Sequence, residues 1–158
     1  MAKAAPGAFR RGPPGEPGVP IIDAHSQIQD VLLKFQPDTL DGVNNITRYD
    51  VDTLRVNADL HAKSVLVPWV GQARDWDASR VEELTQAHFD AILEFDPEVV
   101  IFGSGAKLKF VSPALYRSLI ARRIGVETMD SGAACRTYTV LANEGRRVVA
   151  AILLTPAA

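Results

Sequence analysis

The stretch Glu98-Val99-Val100-Ile101-Phe102-Gly103-Ser104-Gly105 decides the fold. The segment Glu98–Phe102, apolar from Val99 onward and stopped by two glycines, reads as a strand covered on both faces, the kind found in parallel sheets flanked by helices. Immediately upstream, Leu84, Phe89, Ile92 and Leu93 recur at helical spacing, with Thr85 as N-cap and Asp96-Pro97 as the stop. Val81 also fits that face, so the helix has an alternative start near Ser79. Downstream, Ser112-Pro113 opens a second helix as N-cap and N1, with Leu115, Leu119 and Ile120 facing inward. Then come a strand at Ile124–Met129, a helix at Ala133–Asn143 halted by Glu144-Gly145, and a last strand at Arg147–Leu154. Three strands joined by two helical crossovers make βαβαβ with parallel pairing.

Working toward the N-terminus, Ile46–Val51 and Thr53–Asn57 alternate apolar with polar and are rich in β-branched residues, so both read as half-solvated strands. A third strand is expected at about Lys63–Trp69, where Pro68 marks an end or an edge position. Short connections favour an antiparallel meander for these three. The expected fold is therefore α/β: a single layered domain over residues 21–158 with a mixed central sheet, N-terminal antiparallel strands followed by βαβαβ. A further apolar run, Val31–Phe35, ends at Pro37-Asp38. Residues 1–20 hold five of the ten prolines and four of the eleven glycines and read as a disordered leader. They carry Lys3, Arg10 and Arg11 against Glu16; the whole chain, at 158 residues, is −2.

A near-neutral, slightly acidic body excludes electrostatically driven nucleic-acid binding as the main activity. Cys135 is the only cysteine, so no internal disulfide and no Cys-based zinc site can form within one chain. No apolar run approaches the roughly 20 residues that span a bilayer. The N-terminus lacks the apolar stretch of a secretory signal, and its prolines do not permit the amphipathic helix of a mitochondrial presequence.

Ligands of such a sheet bind beyond the carboxyl ends of the parallel strands, and two segments fall there. In Gly103-Ser104-Gly105-Ala106-Lys107 two glycines let backbone N–H groups converge, and Lys107 or Lys109 is placed to meet an anion. The run lacks the third glycine of a dinucleotide fingerprint and the Gly-Lys-Ser/Thr of a P-loop. A tight structural turn is the plainer reading. The second segment, Met129-Asp130-Ser131-Gly132-Ala133-Ala134-Cys135-Arg136-Thr137-Tyr138, runs from a strand end into a helix. Asp130 or Ser131 can cap the first turn. Arg136 places a cation against the helix dipole, which calls for Glu127, Asp130 or a bound anion to compensate it; structural pairing is the expectation. Cys135 sits where a helix N-terminus can activate a thiol, yet His25, His61 and His88 stand at no motif spacing from it, so inert packing is expected. The histidines form no i,i+4 pair, and Ser64 and Ser104 lack a nucleophile elbow. No catalytic residue, metal site or cofactor is assigned. Trp69 and Trp76 read as cover for the core edge.

The run Met129–Tyr138, followed by Glu144-Gly145-Arg146-Arg147-Val148, resembles a family of small α/β proteins of unknown function that includes the mitochondrial respiratory complex I assembly factor 3. Ile46-Thr47-Arg48-Tyr49, Ser64 through Pro68, Trp76, Phe89, Pro97-Glu98-Val99 and Gly103-Ser104-Gly105 also match, over roughly Gln29 to Leu154. The resemblance implies a layered α/β fold around a mixed sheet, no established reaction or cofactor, and protein–protein work in complex assembly. Thr139 replaces the family's common Asn and Ser131 its frequent Thr. The resulting expectation is a cytoplasmic bacterial protein, monomer or homodimer, engaging an unidentified protein partner. The rival is a small-molecule or anion-binding protein, with an enzyme left open, whose site at the carboxyl ends of the parallel strands uses Gly103, Ser104, Gly105, Lys107, Asp130, Cys135, Arg136 and Tyr138.

Overall fold

A computed structural model describes residues 41–157. The leader at 1–20 and the run Val31–Phe35 lie outside the described residues. Eight strands and three α-helices occupy the rest: β1 Ile46–Tyr49, β2 Leu54–Val56, β3 Asp59–His61, β4 Val65–Pro68, β5 Arg74–Asp75, α1 Gln86–Asp90, β6 Val99–Gly103, α2 Arg117–Ala121, β7 Gly125–Met129, α3 Ser131–Asn143 and β8 Val148–Ile152.

The central sheet is five-stranded and mixed, in the order β5-β4-β8-β6-β7. β6 pairs in parallel with β7 and with β8, so the expected βαβαβ is present with its first strand in the middle. Every residue of β6 and β8 is buried, because helices or strands cover both faces. Alternate side chains sort into two cores. On one face Val65, Val67, Val99, Ile101, Val148, Ala150 and Ile152 meet Ala134, Cys135, Tyr138 and Ala142 of α3 and Leu54 and Val56 of β2. On the other, Leu66, Val100, Phe102, Val149 and Ala151 meet Trp76, Phe89, Ile92 and Leu119. Trp76 thus lies within a core rather than at its border, edge-on to Phe89 and Phe102, with its indole N–H donating to the His88 carbonyl at 3.1 Å.

The antiparallel meander exists, but its third member is not the expected one. β1, β2 and β3 form a separate three-stranded sheet. The strand at Val65–Pro68 instead joins the central sheet, antiparallel to β8 on one side and β5 on the other. Burial explains the assignment: all four of its residues are buried, which a half-solvated meander strand would not be. Pro68 is tolerated because it is the last residue of the strand.

The helix ahead of β6 is also shorter than its periodicity suggests. Leu84 is extended, so Val81–Glu83 is a separate 3-10 turn, and α1 starts after Thr85, whose N–H donates to His88 Nδ1 at 3.0 Å. Its 3-10 continuation, Ala91–Phe95, ends at Asp96 in the left-handed region (φ 49°), just before Pro97. Ser112 caps the next turn as expected, its hydroxyl accepting from Ala114 N–H, and Leu119 is fully buried. Ile120 is not inward-facing: it is 52% exposed, because α2 is a single turn after a 3-10 segment and the helical face has rotated past the core.

Candidate functional site

The carboxyl ends of β6, β7 and β8 converge on the start of α3, and the protein's own hydrogen bonds close this corner. Gly103 O accepts from Leu153 N–H at 2.9 Å, and Ser104 N–H donates to Met129 O at 2.9 Å. Ser131 is wholly buried and makes three bonds here: its N–H donates to Gly105 O at 2.8 Å, its hydroxyl donates to Leu153 O at 2.9 Å, and that same oxygen accepts from Gly105 N–H at 2.9 Å. Gly103 permits the approach. A Cβ there would stand 2.9 Å from both Cα and Oγ of Ser131 and 3.1 Å from Ala134 Cβ. Ser104 folds the following loop, its hydroxyl donating to Lys107 O at 2.9 Å and accepting from Lys109 N–H at 2.8 Å. Gly105 supplies the positive φ of 111° that this turn requires.

Asp130 is the N-cap of α3, its carboxylate accepting from Ala133 N–H at 2.9 Å. Cys135 is buried against the sheet, and burial pushes its thiol from 9.0 up to about 12, with Arg136 pulling weakly the other way. A thiol in that state is neither a nucleophile nor a metal ligand at neutral pH. Tyr138 is fully buried, and its hydroxyl reaches Pro68 O at 2.9 Å and Asn44 O at 3.2 Å. Burial pushes the pKa of its hydroxyl well above the usual phenol range, so it stays protonated.

Two separate concavities flank this corner. A groove of about 430 Å³ between β1 and α3 is lined by Arg48, Tyr49, Gly132, Cys135, Arg136 and Thr139, among others. A smaller one of about 220 Å³ is lined by Arg80, Ser104, Gly105, Lys107 and Lys109. The structure therefore brings Cys135 and Arg136 together on one groove and Ser104, Gly105 and Lys107 on another. Gly103 and Asp130 line neither groove, and Tyr138 is internal.

The expected ion pair of Arg136 is absent: among the described residues it pairs with no carboxylate. Its side chain is exposed, so water screens it against the helix dipole and no partner is demanded. Tyr49, beside Gly132, is an addition that the residue-by-residue reading missed as a site member; burial, then Cys135, raises its hydroxyl. Also missed was a charge pattern. From Val99 to Val126 the chain carries Lys107, Lys109, Arg117, Arg122 and Arg123 and no acidic residue. Among the described residues no three His, Cys, Asp or Glu side chains gather to hold a metal, and no helix is long and apolar enough to cross a membrane.

A central mixed sheet with a parallel βαβαβ core, a three-stranded sheet on one side and a strand-end corner sealed by buried serines defines a small layered α/β protein. The family model described as a protein of unknown function (DUF498/DUF598) matches residues 46–153, and the chain belongs to that family. It is 30% identical over 83 residues to the NADH dehydrogenase (ubiquinone) 1 alpha subcomplex assembly factor 3 of Bos taurus, covering 51% of this chain and 45% of that protein. It is likewise 30% identical over 73 residues to the 13 kDa major membrane protein of Francisella tularensis, covering 46% and 59%. The chain thus spans about half the length of these curated relatives. Among solved structures, a Bordetella parapertussis protein matches with a TM-score of 0.68 at 32% identity, over 72% of this chain and 97% of that one. A Xanthomonas campestris protein matches with a TM-score of 0.63 at 32% identity, over 75% and 88%.

Proposed function

We propose that this protein acts without covalent chemistry of its own, as an interaction factor in the assembly of a larger protein complex. One observation carries the reading. The groups with nucleophilic or acid–base character at the strand ends are engaged inside the fold: Ser104 and Ser131 in loop bonds, Asp130 as a cap, Tyr138 on buried carbonyls, and Cys135 as a thiol that burial keeps protonated. The relatives named as assembly factors supply the direction. The bacterial sources of the similar solved structures support a bacterial setting, and we take the cytoplasm as its compartment. The test is stoichiometric capture of the tagged full chain from its native cells, followed by native electrophoresis. The reading expects the same protein partner in every replicate, in a complex larger than the chain alone. Chain recovered alone would end it.

A second reading, binding of a small anion, is favoured by the groove beside α3. Arg136 lines it without an ion pair among the described residues, across from Tyr49 and near the positive end of a thirteen-residue helix. Titration with inorganic phosphate, followed by amide shifts at Gly132 and Arg136, tests it. Shifts lost in Arg136→Ala support it; a flat titration removes it.

A further inference from the structure

The acid-free stretch between Glu98 and Glu127 has an unusual surface. Its five cations make it +5 in a chain whose total is −2, which leaves −7 on the rest. Three of the large apolar side chains that the described residues leave in solvent also fall in it: Phe110 at 76% exposure, Ile120 at 52% and Leu108 at 51%. Leu108 and Phe110 alternate with the lysines, as Lys107-Leu108-Lys109-Phe110. This run follows a turn that is pinned rather than loose, since Ser104 binds both Lys107 O and Lys109 N–H and Ser131 binds Gly105. Its neighbours Val111, Leu115 and Tyr116 pack inward, while Phe110 stands in solvent.

Among the described residues Lys107, Arg117, Arg122 and Arg123 make no ion pair, and Lys109 meets Glu82 at 3.5 Å between two mostly exposed side chains. Such a pair is too weak to withhold Lys109 from another anion. We propose that the Lys107–Phe110 loop docks the protein on a bilayer surface rich in anionic phospholipid, Phe110 and Leu108 entering the interface while the cations meet headgroup phosphates.

Two features favour a bilayer over a protein partner. Protein interfaces need a contiguous, shape-complementary apolar centre with a polar rim. The concavity beside this loop is lined by Ser79, Arg80, Lys107 and Lys109, among others, and by none of the protruding apolar side chains Leu108, Phe110 and Ile120. A bilayer asks for no complementary shape. It accepts single protruding aromatic and aliphatic side chains and rewards unpaired cations, each worth about fivefold in binding near an anionic leaflet. The proposal goes beyond the assembly reading and is independent of it, since vesicles contain no protein.

The experiment is sedimentation of the full chain with vesicles of phosphatidylcholine alone and of phosphatidylcholine mixed with phosphatidylglycerol, at low and high salt. Binding is expected only to the mixed vesicles and is expected to fall with salt. Phe110→Ser should weaken it roughly tenfold, from loss of the buried ring, and Lys107→Gln with Lys109→Gln by about fivefold per charge. These positions are exposed, so unchanged thermal melts should show that the variants fold. No binding to the mixed vesicles overturns the proposal. So does binding that Phe110→Ser and the double lysine variant leave intact, or use of the loop only by an acidic protein captured in the absence of lipid.

Discussion

Replacing Ser131 by alanine tests how the strand-end corner is held. The side chain is wholly buried, and its hydroxyl is both donor to Leu153 O and acceptor for Gly105 N–H, each at 2.9 Å. Alanine fits the helix but removes both bonds and admits no water in their place. Each stranded backbone group costs about 1–3 kcal/mol, and some relaxation of the Gly105 loop is available, so the expected loss is about 2–4 kcal/mol. For a domain of this size that corresponds to a melting temperature lower by about 8–15 °C. The assay is reversible denaturant unfolding of wild type, Ser131→Ala and Ser112→Ala. The last removes an exposed cap bond and should cost only about 0.5–1 kcal/mol. Amide exchange adds a local readout, with Gly105 losing protection in Ser131→Ala well before the core of β6. If Ser131→Ala unfolds within 0.5 kcal/mol of wild type, or Gly105 stays as protected, the corner is held by something else and this reasoning is wrong.

Other consequences follow from the same geometry. Gly103→Ala should destabilise by about 2–3 kcal/mol, because the new Cβ meets the Ser131 backbone at 2.9 Å and a helix cannot swing aside as a side-chain end can; equilibrium unfolding measures it, and a neutral result would mean α3 is free to shift. Tyr138→Phe should cost about 1–2 kcal/mol, less than two full bonds, since Pro68 O keeps its bond from the Asn44 amide at 2.8 Å. Alkaline stability is a third test. Cys135 is raised from 9.0 to about 12, so below pH 9 both folded and unfolded chains hold the proton and nothing is lost. Above that pH the unfolded chain ionises first, and stability falls toward pH 12 by up to about 1.4 kcal/mol per pH unit. Cys135→Ala should flatten part of that slope in melts taken across the range, and native Cys135 should resist alkylation until the protein unfolds.

The sequence was most informative where one physical demand dominated. Glu98–Phe102 is short, β-branched and bounded by Pro97 and Gly103, which favours a strand covered on both faces, and Asp96-Pro97, Ser112-Pro113 and Asp130 are punctuation whose chemistry is local, so the three strands of βαβαβ are legible to within two residues, whereas the helix opened by Ser112-Pro113 begins as a 3-10 turn and becomes α2 only at Arg117. The sheet to which Val65–Pro68 belongs was not, because pairing partners are set by distant β8 and leave no mark on the strand's own connections. Its uninterrupted Val65-Leu66-Val67 was nonetheless the same signature as that of β6. Asp59–His61 is too short and polar to announce itself. Ile120 was misplaced because a 3-10 start shifts the helical phase. At the site, the cap role of Asp130 and the packing of Cys135 were readable from type and position. The joint use of Ser131 by Gly105 and Leu153 was not, since it depends on three chain segments meeting. The acid-free stretch is in plain view in the sequence, but the acidic residues on either side of it cancel its charge in the whole-chain balance of −2.

The role proposed for this protein is to hold other proteins while performing no covalent step of its own. Capture of the tagged full chain from its native cells, with partner stoichiometry read by native electrophoresis and mass measurement, tests it most directly. One reproducible protein partner is expected at near-integer stoichiometry, retained in Cys135→Ala because the buried thiol takes no part. Chain recovered alone, or a partner lost when that thiol is removed from a protein that still folds, would contradict it.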